Sequence, residues 1–201
     1  MNRSILLAIV VALGLQSWAV AAPKVVNGSF EADRYTKAPG QARANGGKIQ
    51  GWQFTGSVGL NPTWEGAGKK ATAVHTFDDN GRVPDGRQVA LLQNACTLSQ
   101  RIEGFEAGRR YRVTFRENAR RKSRSPDPPR LEVTLDGQTI VSSHLVTPAD
   151  DFDRRTLPYH LVESAEFVAP RSGALELVFK TTLDTGLTVL LDQVQIVELG
   201  P

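Results

Sequence analysis

Between Arg110 and Glu117 the residues alternate strictly. Tyr111, Val113 and Phe115 are apolar, while Arg110, Arg112, Thr114 and Arg116 are polar. Side chains of an extended chain point to opposite faces with a period of two, so this is a strand with one buried face. The same period recurs at Leu131, Val133 and Leu135, where Asp136-Gly137 supplies a tight hairpin turn into Thr139 to Ser143. It returns at Leu175, Leu177 and Phe179. Leu187 to Leu199 is almost continuously apolar, as expected of a central strand covered on both sides. Further strands are expected at Val25 to Phe30, Ile49 to Thr55, Ala71 to Phe77, Gln88 to Gln93, Leu98 to Ile102 and His160 to Val168. No stretch has helical periodicity. About ten short strands separated by Gly, Pro, Asp and Asn specify a β-sandwich, and within that class a jelly roll.

The first residues stand apart from this pattern. Arg3 precedes an apolar run from Ile5 to Leu15, and Ala19-Val20-Ala21 has the small-x-small form of a processing site. This predicts a secretory signal over residues 1–21, cut after Ala21, with a β-sandwich domain over 22–201. As a helix the apolar run reaches about 17 Å, short of a hydrocarbon core of about 30 Å, so a membrane span is not expected here or elsewhere. The expected location is periplasmic or extracellular. The formal net charge is +3, a small excess over many charges of both signs, and does not point to nucleic acid. The single cysteine, Cys96, excludes an intramolecular disulfide and reads as a buried thiol in a strand. Such a domain relies on its core and on any bound metal.

An ordered set of short motifs resembles a known family. Asn27-Gly28-Ser29-Phe30-Glu31 opens the domain and Gly51-Trp52 follows; Gly86-Arg87-Gln88-Val89-Ala90-Leu91-Leu92 and Leu98-Ser99-Gln100 come next, then Gly108-Arg109-Arg110-Tyr111-Arg112-Val113-Thr114-Phe115, and Leu190-Leu191-Asp192-Gln193-Val194 closes the chain. Together they are similar to the galactose-binding-like jelly rolls. These include carbohydrate-binding modules and the related cell-wall domains that open with Asn-Gly-x-Phe-Glu. The Arg-rich stretch from Arg120 to Arg130 departs from the family pattern and reads as a solvated hairpin tip or a polyanion-binding loop. The resemblance implies a non-catalytic domain binding a polysaccharide or glycan. It also implies a structural Ca2+ where the first strand meets the last, held by Glu31 and Asp192 with Gly28 or Ser29 as carbonyl donors. An ionised Asp192 amid Leu190, Leu191, Val194 and Ile196 needs a counter-charge, which a hard oxygen-ligated cation supplies; a hydrogen-bonded carboxylate at a sheet end is the alternative.

No catalytic constellation emerges. His75, His144 and His160 lack zinc-motif spacing, there is no Gly-x-Ser-x-Gly elbow, and Asp150, Asp151 and Asp153 read as a polar turn. Sugar binding needs only a flat aromatic and hydrogen-bonding side chains. Trp52 reads as packing, whereas Trp64 in a Gly-rich loop is the candidate stacking platform, with Tyr35 as a further loop aromatic. Arg112 and Arg116 project to one side, continued by Asn118, and would clamp an acidic glycan unless acids on neighbouring strands neutralise them. The expectation is therefore an exported carbohydrate-binding domain without catalytic residues. A structural or adhesive envelope domain is the first alternative, and a glycan hydrolase or lyase the second.

Overall fold

The computed structural model describes residues 21–33, 47–62, 83–119, 128–148, 159–182 and 188–200. Every regular element among them is a strand. In chain order these are β1 (Gln53–Pro62), β2 (Gln88–Phe105), β3 (Arg110–Ala119), β4 (Arg130–Leu135), β5 (Gln138–Leu145), β6 (His160–Glu163), β7 (Phe167–Val168), β8 (Gly173–Thr181) and β9 (Thr188–Gly200). All pairings are antiparallel. The strand order is β5-β4-β8-β2-β9-β3-β6, with β1 along β2 and β7 along β3. The architecture is an all-β sandwich formed by one curled sheet.

The curl is made by β2, eighteen residues long. Its second half, Cys96 to Phe105, pairs with β8 in one layer, and its first half, Ala90 to Gln93, pairs with β9 in the other. The bend falls at Asn94, which has φ 62°, opposite Gly56 of β1 with φ 75°, where the register of the two strands shifts. A β-carbon on Gly56 would lie 2.7 Å from the Ala95 carbonyl oxygen and 2.8 Å from Cys96 Cβ, so the corner admits only glycine on that strand. The sequence reading divided this long strand into Gln88 to Gln93 and Leu98 to Ile102, on either side of the bend.

Alternation then fills the space between the layers. Leu131, Val133, Leu177, Phe179 and Leu98 come from one layer, and Tyr111, Val113, Phe115, Leu92 and Leu191 from the other, all buried. Phe115 and Phe179 meet edge-to-face at 5.1 Å. Trp52 packs against Phe30 at 5.4 Å and Phe179 at 6.2 Å, and its indole N–H donates to the Asn27 carbonyl at 3.1 Å, in keeping with its reading as a packing residue. The hairpin expected at Asp136-Gly137 joins β4 to β5 with φ 49° and 82°, the signature of a two-residue primed turn.

The segment Val25 to Phe30, expected as a strand, is a compact turn instead. Asn27 and Phe30 take φ 53° and 62°, and the Phe30 amide donates back to the Asn27 carbonyl at 3.1 Å. Asn27 and Asp33 side chains accept backbone amides from Ala32 and Gln50, which offers the chain local partners in place of a ladder. The segment is stapled to the sheet by Gln100. Its carboxamide accepts from the Val26 amide at 2.7 Å and donates to the Val26 and Gly51 carbonyls at 2.8 and 2.9 Å.

Candidate functional site

The opening turn meets the last strand where the sequence reading placed it. The Val194 amide donates to the Gly28 carbonyl at 2.9 Å, and a β-carbon at Gly28 would fall 2.2 Å from the Val194 oxygen. Both carboxylates are held by the turn that leads into β2. Glu31 Oε1 accepts from the Arg87 and Gln88 amides at 2.8 and 2.9 Å, and Asp192 Oδ2 accepts from the Asp85 amide at 2.8 Å. Asp192 Oδ1 accepts from the Gln193 amide at 2.7 Å. Asp192 is fully buried. Its carboxyl is pushed up to about 8, chiefly by that burial and further by the nearby Asp85 and Glu31 carboxylates, against the lowering effect of the two backbone donors. Beside these groups lies a cavity of about 320 Å³, lined by Gly28, Ser29, Asp85 and Gln193 among others. Among the described residues no three carboxylate, imidazole or thiol groups form a ready metal cage, so main-chain carbonyls would have to complete one.

The face of β1, β2, β9 and β3 turned away from the main core carries a second buried cluster of Val83, Val89, Leu91, Tyr159 and Leu190. Polar residues run beside it. Cross-strand pairing sets Leu91 against Leu190 and Leu190 against Asn118. Asn61 of β1 pairs with Val89, and Arg116 of β3 pairs with Asp192. The extra residue Gln193, at φ 51°, shifts the register of β9 and keeps Leu190 and Asp192 on this face while Val194 turns into the core. Access grades along the face: Leu161, the β6 partner of Arg116, is 54% exposed, Arg116 is partly buried, and Asn61 is 4% exposed. Asn61 Oδ1 and Arg116 Nε are buried without a hydrogen-bond partner among the described residues. Each such group costs about 1–3 kcal/mol and calls for an explanation at a site.

Against the residues expected to bind a ligand, the structure distinguishes two arginines that look alike in the sequence. Arg112 Nη1 meets Glu163 Oε2 at 2.5 Å and its Nη2 meets Glu166 Oε1 at 3.1 Å, so acids from the neighbouring edge neutralise it. Arg116 forms no ion pair among the described residues and donates through Nη1 to the Tyr159 carbonyl at 3.2 Å. Asn118, expected on the solvated side, is 1% exposed beside Leu190, and its Oδ1 accepts from the Ala119 amide at 2.8 Å. Trp64 and Tyr35 lie outside the described residues, as do residues 1–20 and most of the Arg-rich stretch. Asn61 and Tyr159 had not been singled out. A lone Asn or Tyr near a turn carries no signal until the register brings it beside Arg116.

One titratable pair lies elsewhere. On the opposite side of β3, between Arg116 and Asn118, Glu117 is buried and His144 of β5 meets both its oxygens, at 2.9 and 3.1 Å. The Glu117 carboxylate holds the His144 imidazole above its usual range, against the opposing effect of burial. Cys96 is buried, with its sulfur 3.1 Å from Thr181 Oγ1, and desolvation pushes its thiol up, away from reactivity.

No curated protein matches the chain. Among solved structures, the tandem CBM22-1-CBM22-2 domain of Paenibacillus barcinonensis Xyn10C is 16% identical with a TM-score of 0.52, over 92% of this chain and 47% of that one. Its CBM22-1 xylan-binding domain alone is 15% identical with a TM-score of 0.49, over 77% and 89%. TmCBM61 in complex with β-1,4-galactotriose is 13% identical with a TM-score of 0.46, over 83% and 99%. The tandem domain shares the β-sandwich fold at an identity too low to carry a ligand across. The sequence itself matches one family model, described as HpiC1 cyclase, from residue 21 to residue 197, and the chain therefore belongs to the HpiC1-like family.

Proposed function

We propose that this chain is an exported, ligand-binding jelly roll whose ligand is a glycan, bound on the face that carries Arg116 and Asn61. The observation behind the reading is that two of the buried polar atoms without hydrogen-bond partners among the described residues, Asn61 Oδ1 and Arg116 Nε, lie on one face beside an apolar floor of Val89, Leu91 and Leu190. A sugar offers both things such a face lacks, hydroxyls for the polar atoms and C–H faces for the apolar ones. Trp64 and Tyr35 are the aromatic side chains we assign to stacking, from the sequence. Affinity electrophoresis against neutral and acidic polysaccharides tests the reading. Retardation by at least one, weakened in Trp64→Ala, is expected, and no retardation by any overturns it.

Within this reading we assign a Ca2+ ion to the junction of the opening turn and β9, with Glu31 and Asp192 as side-chain ligands and Gly28 or Ser29 contributing carbonyls. What supports it is the fully buried Asp192 carboxyl, which has Glu31 and Asp85 near it and no ion-pair partner among the described residues. The ion would supply the missing counter-charge.

A second reading is favoured by the family and by the same carboxyl. A buried carboxyl raised to about 8 is the form in which Asp192 would serve a cyclase as a proton donor. The two roles exclude one another, since a calcium-bound Asp192 is ionised. Calorimetric titration with Ca2+ at pH 7 separates them: uptake lost in Asp192→Asn supports the metal, and no uptake leaves the acid.

A further inference from the structure

The arginines of β3 and of the turn before it are spent differently. Arg109 lies between Glu106 and Glu198, each at 2.6 Å, Arg110 faces Glu166 at 3.8 Å, and Arg112 bridges Glu163 and Glu166. Arg116 alone in this row forms no ion pair among the described residues, because its cross-strand partner Asp192 turns to the Asp85 and Gln193 amides, and it is partly withdrawn from solvent at the buried polar cluster. Among the described residues its hydrogen bond goes to a neutral carbonyl, which leaves the guanidinium without an ion-pair partner. A partly desolvated guanidinium without an anion is costly, and a protein keeps one where the anion arrives with the ligand.

We propose that the ligand of this face carries a carboxylate and that Arg116 holds it, which makes the ligand an acidic glycan of the uronate class. The inference rests on the glycan-binding reading above. The guanidinium presents its Nε–H and one Nη–H along a single edge, and that edge matches the two oxygens of a planar carboxylate. With Nη1 on the Tyr159 carbonyl, Nε and Nη2 are the donors left along that edge. The neighbours suit a uronate ring. Leu161, exposed beside Arg116 on β6, offers apolar surface to ring C–H groups. Asn61 stands three strands away on the same face, with its carboxamide oxygen lacking a donor. At about 4.8 Å per strand that separation is about 14 Å, so a ligand must be longer than one sugar ring to use both.

The test is calorimetric titration of the whole chain with oligogalacturonate, oligoglucuronate and oligomannuronate, each beside its methyl ester, with neutral xylan and galactan oligomers and dextran sulfate alongside. The methyl ester preserves the ring and every hydroxyl and removes only the charge. At least one free acid is expected to bind about tenfold or more tighter than its ester, the effect of one charge-assisted hydrogen bond. Arg116→Gln should bind acid and ester alike, while Arg109→Gln, away from the face, should keep the preference. Should Arg116→Gln fail to fold, the acid–ester comparison on the unaltered chain decides by itself. Ester binding equal to acid in all three pairs, neutral oligomers bound as tightly, or dextran sulfate preferred to every uronate overturns the uronate assignment and leaves glycan binding standing. Absence of binding to all of them overturns the glycan reading and this inference with it.

Discussion

Asp192 of β9 and Arg116 of β3 are cross-strand partners, yet they form no ion pair: Arg116 reaches to the Tyr159 carbonyl, and Asp192 turns to the amides of Asp85 and Gln193. The carboxyl therefore loses hydration without gaining a cation. An unfolded aspartate titrates near 4, whereas this one holds its proton to about 8 in the fold. Between those values the unfolded chain releases a proton that the folded chain retains. Stability from this group thus falls as pH rises through that window. In EDTA the melting temperature should drop from pH 5 to pH 8, and Asp192→Asn should flatten the drop. Added Ca2+ should raise the melting temperature more at pH 8 than at pH 5, because metal and proton compete for the same oxygens. Scanning calorimetry over this range, with and without Ca2+, checks both; equal Ca2+ effects at the two pH values would count against the site.

The His144–Glu117 pair changes stability with pH in the same direction, through a favourable contact instead of a desolvated one. The imidazole is held above its usual range by the buried carboxylate it touches. Its contribution is fully present below the unfolded value near 6.5 and is lost as pH rises through the folded one. His144 is partly exposed, which reduces the effect to about 1 kcal/mol or less. His144→Gln should lower the melting temperature at pH 5.5 and leave it nearly unchanged at pH 9. Two-dimensional NMR titration of the imidazole would read the same shift directly.

These two sites also mark how far the sequence is legible. Alternation placed β3, β4 and β8, because a strand with one buried face writes its period into consecutive residues, and the nearly continuous apolar run placed β9. The opening turn escaped it: Val25, Val26 and Phe30 are apolar enough for a strand, and only the positive φ of Asn27 and Phe30 turns the chain back. Glu31 and Asp192 were singled out through the motif that carries them. Arg112 and Arg116 share a face in the sequence, but what separates them is Glu163 and Glu166, about fifty residues downstream, and no local pattern says which arginine those acids will meet. Asn118 was expected at the solvated edge because alternation gives the side of a strand and not what lies over it.

The corner between the layers makes a prediction of its own. Gly56 sits at φ 75° with the Ala95 carbonyl and Cys96 Cβ inside the radius of any added β-carbon. Gly56→Ala combines left-handed strain with a backbone clash, and should cost about 2–4 kcal/mol. Urea unfolding should show the midpoint shifting at unchanged slope. Gly137→Ala, where nothing lies within contact distance of the added carbon, is the comparison for left-handed φ without the clash, and should cost about 1 kcal/mol.

Gln100 ties the opening turn to the sheet with three hydrogen bonds, to both main-chain groups of Val26 and to the Gly51 carbonyl, and its side chain is buried. Gln100→Leu keeps the volume but removes every partner, leaving one amide and two carbonyls to be satisfied by water or not at all. At about 1–3 kcal/mol for a buried group left unpaired, the turn should detach locally before the sandwich unfolds. Because Gly28 and Glu31 reach Val194 and the 85–88 turn only while this segment is docked, its release should also carry away any Ca2+-dependent stabilisation. Hydrogen exchange is the measurement: faster exchange at the Val26 and Phe30 amides with β3 and β8 unchanged is expected. Uniform acceleration across the sheet would mean that the turn is integral to the core and not a separately docked clasp.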